Sequence, residues 1–565
     1  VGPFGPSLRP LRQQRAAQTA RRCHARRAGG ALIASLCGDR RSRSQAPQRS
    51  VRRDACLRQM PRRAMWPGPL AAARAALACA TVAAIVGLAS AQPPPPQQVA
   101  LGNWSSSQEL EGEELGAMFG YSVAISDDGL TIAIGSLQAN VACGYGCAYA
   151  YERSAAHDFV LKGEPIGSSS FSVPWGNSLS CGFSVAISAK GRVLATGCWS
   201  LHGEGKLNQV LVVDWEHGLP DSPGSWVMRG SAPLRDAATW SIQNIFFGFA
   251  LSMSASGDTI AVGAPQIFYA QVLVFEFNGM EYELLGSALE DPSTGTSTFG
   301  STFGDSVALA ADGRTVVIGA SDGQFDQYVD YYDDSGFAVV YTWDANTMAW
   351  MQKGSTQLGG FDSMDRHFGH SASISAAGDL VAVSSVHTGM AEERGYVKVF
   401  EFDSLVGEWV QRGETLHGLG EGDRFGHSVQ LSHDGEWLVV GAMEHACEIQ
   451  AQNGLVGCPG LYDPGHAFLF HWRCGAWDVE GRVDGHGDGD KFGFGVAIDN
   501  NATRLVITAP AHNRTSSQWS ERGHAVIYEV GEASSSGECP PPSLSPSHPS
   551  PSPPPSPPPS LPPSP

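Results

Sequence analysis

From Phe119 onward the chain repeats one arrangement of apolar and polar positions. The first copy reads FGYSVAISDDGLTIAIGS, from Phe119 to Ser136. Two short apolar runs, SVAIS and TIAIG, flank a polar turn that ends in glycine. The arrangement recurs as CGFSVAISAKGRVLATGC from Cys181, FGFALSMSASGDTIAVGA from Phe247 and FGDSVALAADGRTVVIGA from Phe303. It returns as FGHSASISAAGDLVAVSS from Phe368, FGHSVQLSHDGEWLVVGA from Phe425 and FGFGVAIDNNATRLVITA from Phe492. The anchor glycines are Gly120, Gly182, Gly248, Gly304, Gly369, Gly426 and Gly493, spaced 56 to 67 residues apart. Self-similarity at such a period signals an array of stacked units.

Each unit predicts four strands. The SVAIS-like and TIAIG-like runs are the first two, joined by a tight turn whose glycine supplies a positive-φ position. Runs such as QVLVFEF, AVVYTW, VKVFEF, AFLFHW and AVIYEV are the third. The fourth carries an aromatic residue followed by glycine, as in Trp226…Gly230, Tyr282…Gly286, Trp350…Gly354, Trp409…Gly413 and Trp477…Gly481. Large and small apolar residues alternate in TIAVGA, where a solvated sheet would alternate apolar with polar. Strands covered on both faces, in radially repeated units of four, predict an all-β, seven-bladed propeller. The Phe of each FG pair then packs blade on blade, and its Gly marks a tight backbone position. The seventh unit stops after its third strand, Ala525 to Val530, while LGNWSSSQELEGE, with Trp104 and Leu110, precedes the first. That N-terminal strand completes the last blade and closes the ring, leaving no open edge.

The set of FG-x-SV…DG…(A/V)xGA motifs resembles FG-GAP-like repeats, known from the propeller of integrin α chains. The resemblance covers roughly residues 101–530. It implies a seven-bladed surface propeller. Calcium-binding members carry a DxDxDG-type loop between the first two strands. Here that loop reads SDDG, SAKG, SASG, AADG, SAAG, SHDG or DNNA, with too few oxygen ligands for calcium, so no metal or cofactor is carried over.

Charge is divided unevenly. Residues 1–91 hold 17 Arg, no Lys and two acids, a net +15; the remainder holds 20 basic and 54 acidic residues, a net −34. A body this acidic repels phosphates, which argues against nucleic-acid partners. Residues 1–59 begin with Val and read as a disordered basic segment or wrongly translated upstream sequence. Met60 opens a signal-peptide pattern: Arg62 and Arg63, the apolar stretch 75–89, then Ala89-Ser90-Ala91. In the rival reading, residues 70–91 stay in the membrane as a signal anchor. Residues 92–100 form a Pro-rich linker, 101–530 the propeller, and 531–565 a disordered Pro/Ser-rich tail. The SPSPPPSPPPS run resembles extensin-like wall glycoproteins in composition. These features point to a secreted, cell-surface or matrix location.

Beyond the signal segment eight cysteines remain, an even number that suits an exported protein. Cys181 and Cys198 face each other across a hairpin; Cys143 with Cys147, and Cys447 with Cys458, would each staple a long loop. Cys474 and Cys539 would be left to tie the chain end to the ring. Asn103, Asn501 and Asn513 stand in N-x-S/T sequons. The second-to-third loops are long and all different, whereas the first-to-second turns are short. Variable loops on a rigid scaffold are where binding resides. Within one of them, Asp326, Tyr328, Asp330, Tyr331, Tyr332, Asp333 and Asp334 combine carboxylates with amphipathic tyrosines. Asp484, Asp488 and Asp490 in DGHGDGDKFG resemble a calcium loop superficially but lack its bidentate Glu.

There is no HExxH, GxSxG elbow or Walker loop. His370 and His427 occupy equivalent repeat positions, which favours packing over proton transfer. The sequence therefore favours a recognition or adhesion module binding an extracellular protein or glycan through the long-loop face. Two alternatives stay open: an extracellular propeller enzyme acting on polysaccharide, which needs carboxylates converging on the axis, and a structural wall or matrix glycoprotein with no specific ligand.

Overall fold

The fold was analysed in a computed structural model. It describes residues 104–530 apart from 115, 138–144, 168–169, 171–178, 201–207, 219–223, 236–245, 266–269, 293–301, 322–335, 360–366, 387–393, 421, 445–463, 486–488 and 513–521. The leader, linker and Pro/Ser tail lie outside the described residues.

The described residues form seven antiparallel sheets, one per repeat. Blade 1 runs Phe119–Ile125, Thr131–Ser136, Cys147–Arg153 and Phe159–Leu161. The first strands of successive blades touch one another around a closed cycle, so they line the axis. Blade 7 contributes Gly495–Ile498, Arg504–Ala509 and His524–Val530 in chain order. Its outer strand is Trp104–Glu111, paired antiparallel with His524–Val530 from Trp104↔Val530 to Glu111↔His524. The ring thus closes with strands from both ends of the propeller, as the repeats predict.

At the start of blades 1, 2, 5 and 6 the first strand carries a β-bulge; in blade 1 Phe119 opposes Ser136, but Ser122 already opposes Gly135. In each of these four blades the anchor glycine lies within the bulge. All seven anchors have φ between +85° and +97°, a region closed to most side chains. At Gly182 a Cβ would also lie 2.2 Å from the Cys147 carbonyl oxygen. The preceding Phe119, Phe247, Phe303, Phe368, Phe425 and Phe492 are each at most 2% exposed. Burying one such ring contributes roughly 1.5–3 kcal/mol. In blade 2 Cys181 takes the place of Phe and is bonded to Cys198, directly opposite on the neighbouring strand.

The outer rim has its own repeated contact. The Trp226, Trp350, Trp409 and Trp477 indoles donate Nε1–H to the carbonyls of Lys162, Leu285, Lys353 and Arg412 on the preceding blade. Three of those residues, and Arg229, lay their cations over the aromatic pair of the next blade. A glycine at positive φ follows each, as at Gly354, where Trp409 sits 2.8 Å from a built Cβ. That turn interrupts the outer strand. Pairing resumes beyond it in blades 3, 4 and 5, giving a short fifth strand at Leu289–Glu290, Leu358–Gly359 and Leu416–His417.

Candidate functional site

The two ends of the propeller are built differently. At one end lie the short turns between first and second strands, linked blade to blade by backbone hydrogen bonds. Ala189 N–H donates to Ala255 O at 3.0 Å, Ala255 N–H to Ala311 O at 2.9 Å, and Ala376 N–H to His433 O at 2.9 Å. Asp128 N–H bonds Ala189 O, Ala311 N–H bonds Ala376 O, and Asn500 N–H bonds Asp127 O. The turn of blade 6 reaches past blade 7 to blade 1, where His433 Nε2 lies 3.1 Å from Asp127 Oδ1. This stitching leaves the turns little freedom to adapt.

The other end carries the second-to-third loops. Register places the anchors there, since Phe119 opposes Ser136, Phe368 opposes Ser385 and Phe425 opposes Ala442, each at the end of a second strand. A bulge re-aims side chains. The residue after each anchor glycine is Tyr121, Phe183, Phe249, Asp305, His370, His427 or Phe494 in turn around the ring, and all seven are partly exposed. Tyr121 lies 5.1 Å from both Phe183 and Phe494, centroid to centroid. Phe183 lies 5.1 Å from Phe249, His427 lies 4.5 Å from Phe494, and His370 lies 5.3 Å from His427. Six aromatic rings therefore follow one another around the axis. Asp305, bonded by the Ser321 hydroxyl, holds the seventh position.

Two rings extend this floor outward. Trp199 stacks on Phe183 at 3.8 Å with 15° between planes, and Phe246 meets Trp199 edge-on at 5.5 Å. The Trp199 Nε1 is buried and has no hydrogen-bond partner among the described residues. His427 Nδ1 is 2.9 Å from the Phe494 carbonyl oxygen and so carries the proton. Burial pushes the His370 imidazole down to about 3 and the His427 imidazole to about 4. Both are neutral near pH 7, leaving the floor uncharged apart from Asp305.

The sequence-predicted ligand residues Asp326, Tyr328, Asp330, Tyr331, Tyr332, Asp333 and Asp334 lie outside the described residues. So do Asp488, Asn103, Asn513, Cys143, Cys447 and Cys458. Asp484 ends the outer strand of blade 6 and accepts from Arg482 Nε at 2.5 Å. Asp490 is buried, with His512 Nδ1 2.9 Å from its Oδ2. Asn501 is exposed on the turn of blade 7. Cys147 and Cys474 are disulfide-bonded to partners outside the described residues. Sequence reading passed over the aromatic floor. Its signal is the column after the anchor glycine, which reads Y, F, F, D, H, H, F.

No protein-family model matches the chain, and no curated protein matches it. Among solved structures it is similar to Kuenenia stuttgartiensis hydrazine synthase, at 11% identity and a TM-score of 0.40 over 71% of this chain and 94% of that one. The β-propeller domain of Myceliophteria thermophila Cps50 (Swd1) is similar at 11% identity and a TM-score of 0.43, covering 74% and 99%. The Dos1 propeller is similar at 12% and 0.38, covering 76% and 96%. Each likeness is one of fold alone.

Proposed function

We propose that the chain is an extracellular or cell-surface recognition module that binds a protein or glycan on its long-loop face. The carrying observation is the partly exposed aromatic floor at the loop-bearing end, opposite an end stitched by backbone hydrogen bonds. Binding sites combine apolar and aromatic linings with a few placed polar groups; here Asp305 supplies such a group. A glycan suits this chemistry best. The C–H face of a sugar ring stacks on an aromatic ring, and its hydroxyls donate to a carboxylate. The seven repeats, six of them FG-anchored, resemble those of integrin α chains, and we place this chain in that FG-GAP-like group, exported by its N-terminal leader and tethered by its Pro/Ser tail.

A glycan and extracellular-protein array probed with the full chain from a secretory host tests this. Specific binding, reduced about tenfold or more by Trp199→Ala or Tyr121→Ala but not by Lys190→Ala on the stitched end, is expected. Binding insensitive to the floor variants, release of cleaved product, or silence on every array would overturn it.

A further inference from the structure

The blade that closes the ring brings together three metal-binding side chains from three separate segments. Glu109 stands on the N-terminal outer strand, His512 follows the second strand, and His524 opens the third. One ligand atom from each lies within 4.8 Å of the other two. The His512 and His524 rings are 3.9 Å apart, and His524 Nδ1 is 3.6 Å from Glu109 Oε1.

The surroundings orient these groups. Asp490 Oδ2 lies 2.9 Å from His512 Nδ1, and the Asp490 side chain is 2% exposed. A carboxylate this close favours the proton on Nδ1 and leaves Nε2 with its lone pair, the tautomer a metal-bound imidazole needs. The His512 carbonyl accepts from Arg522 N–H at 3.1 Å and Gly523 N–H at 3.2 Å, which fixes its backbone. Glu109 is 43% exposed, so its carboxylate can swing and the site has an entrance.

We propose that Glu109, His512 and His524 bind a divalent transition metal of the zinc type, with Asp490 positioning His512. Two imidazoles and one carboxylate form a nitrogen-rich set that suits zinc, whereas calcium takes oxygen ligands. Bonds of about 2.0–2.2 Å place neighbouring ligand atoms of a tetrahedral site roughly 3.3–3.5 Å apart. A contraction on the order of 1 Å therefore completes the site, and the exposed Glu109 side chain has room to supply it. A fourth position stays open to water. The ion would join the N-terminal strand to the rest of blade 7, so its binding fastens the ring closure.

The test is isothermal titration of zinc chloride into the full chain after chelator treatment, with cobalt(II) absorption reporting the geometry. One zinc per chain is expected, unopposed by millimolar calcium, with an intense tetrahedral or five-coordinate cobalt spectrum. Glu109→Gln changes an exposed side chain and leaves the fold intact; it should weaken zinc by about tenfold or more and alter the cobalt spectrum. Asp490→Asn should cost about 10–100-fold in affinity. Equal zinc affinity in wild type and Glu109→Gln, or an octahedral cobalt spectrum unchanged by Glu109→Gln, overturns the proposal, as does an absence of stoichiometric zinc.

Discussion

Ser122 Oγ donates a 2.9 Å hydrogen bond to the carbonyl oxygen of Gly182, fastening the first blade to the anchor glycine of the second. Ser184 does the same to Gly248 at 2.7 Å, and Ser306 to Gly369 at 2.8 Å. Beside the first of these bonds, a Cβ on Gly135 would stand 2.0 Å from the same Gly182 oxygen. Glycine in the second strand and serine in the first therefore set the spacing between blades together. Ser122→Ala should cost about 1 kcal/mol, the net worth of one such bond. Gly135→Ala should cost more, roughly 1–3 kcal/mol, because the blades must part to admit the methyl group. Thermal unfolding of both variants checks the order. A Gly135→Ala protein as stable as wild type would refute this close contact.

The neutral pair on the axis makes stability depend on pH. Burial is the main cause of the low values at His370 and His427. His427 and His367, with Arg424, push His370 further down; Arg424 and Lys491 act likewise on His427, against the Phe494 carbonyl, which favours its charged form. Below the ordinary imidazole value of 6.5 the unfolded chain takes up protons that the folded chain refuses. The contribution is complete above that value and is lost as pH falls from there toward about 4 and about 3. Each imidazole should remove ~1.4 kcal/mol per pH unit within that window. A double variant, His370→Phe with His427→Phe, carries the residue found in equivalent blades. Its melting temperature should fall less than wild type between pH 6.5 and pH 4.5; identical slopes would show that the pair does not titrate as described.

Much of this architecture can be read from the repeats. The FG anchors mark the blades, the incomplete seventh unit shows where Trp104 and Leu110 must go, and the alternation in TIAVGA reveals burial on both faces. The aromatic floor was equally present as a column of residues, but its meaning depends on the bulge, which turns Tyr121 toward the axis rather than into the blade. The basic residue before the rim glycine, as in Lys353-Gly354, escaped notice because its aromatic partner lies one repeat downstream. Glu109, His512 and His524 share no motif. They meet only because the ring closes with strands from opposite ends of the propeller, a relation that local spacing does not encode.

The Cys181–Cys198 bond occupies the position that phenylalanine fills in the other six blades. In blade 6 the equivalent pair is Phe425 opposite Ala442. Cys181→Ala with Cys198→Ala removes both the cross-link and the buried bulk. A loop of this length is worth about 3 kcal/mol in the chain-entropy account. Cys181→Phe with Cys198→Ala should recover part of the loss by rebuilding the blade 6 arrangement. Comparing the two double variants by chemical denaturation separates the terms. If the Phe variant is no more stable than the Ala variant, the site in blade 2 is not equivalent to the others.

Closure of the ring rests on the outer strand of blade 7, and one of its side chains bonds both backbone groups of a blade 1 residue. Gln108 Nε2 donates to the Phe159 carbonyl at 2.9 Å, while its Oε1 accepts the Phe159 N–H at 2.6 Å. Glu529 adds a bridge to Arg153 at 2.9 Å and to Arg504 at 3.0 Å. On the opposite flank Trp104 meets Trp437 of blade 6 edge-on at 6.4 Å and is 9% exposed. Gln108→Ala leaves two backbone groups of Phe159 without their partner and should cost about 1–3 kcal/mol. Trp104→Ala should cost about 3–5 kcal/mol through the cavity it opens. Both should act first on the closure, so backbone amides of His524–Val530 should lose hydrogen-exchange protection before those of Leu380–Ser385 in blade 5. Uniform loss of protection in all blades would mean that the ring unfolds as one unit and that the closing strand is not its weakest seam.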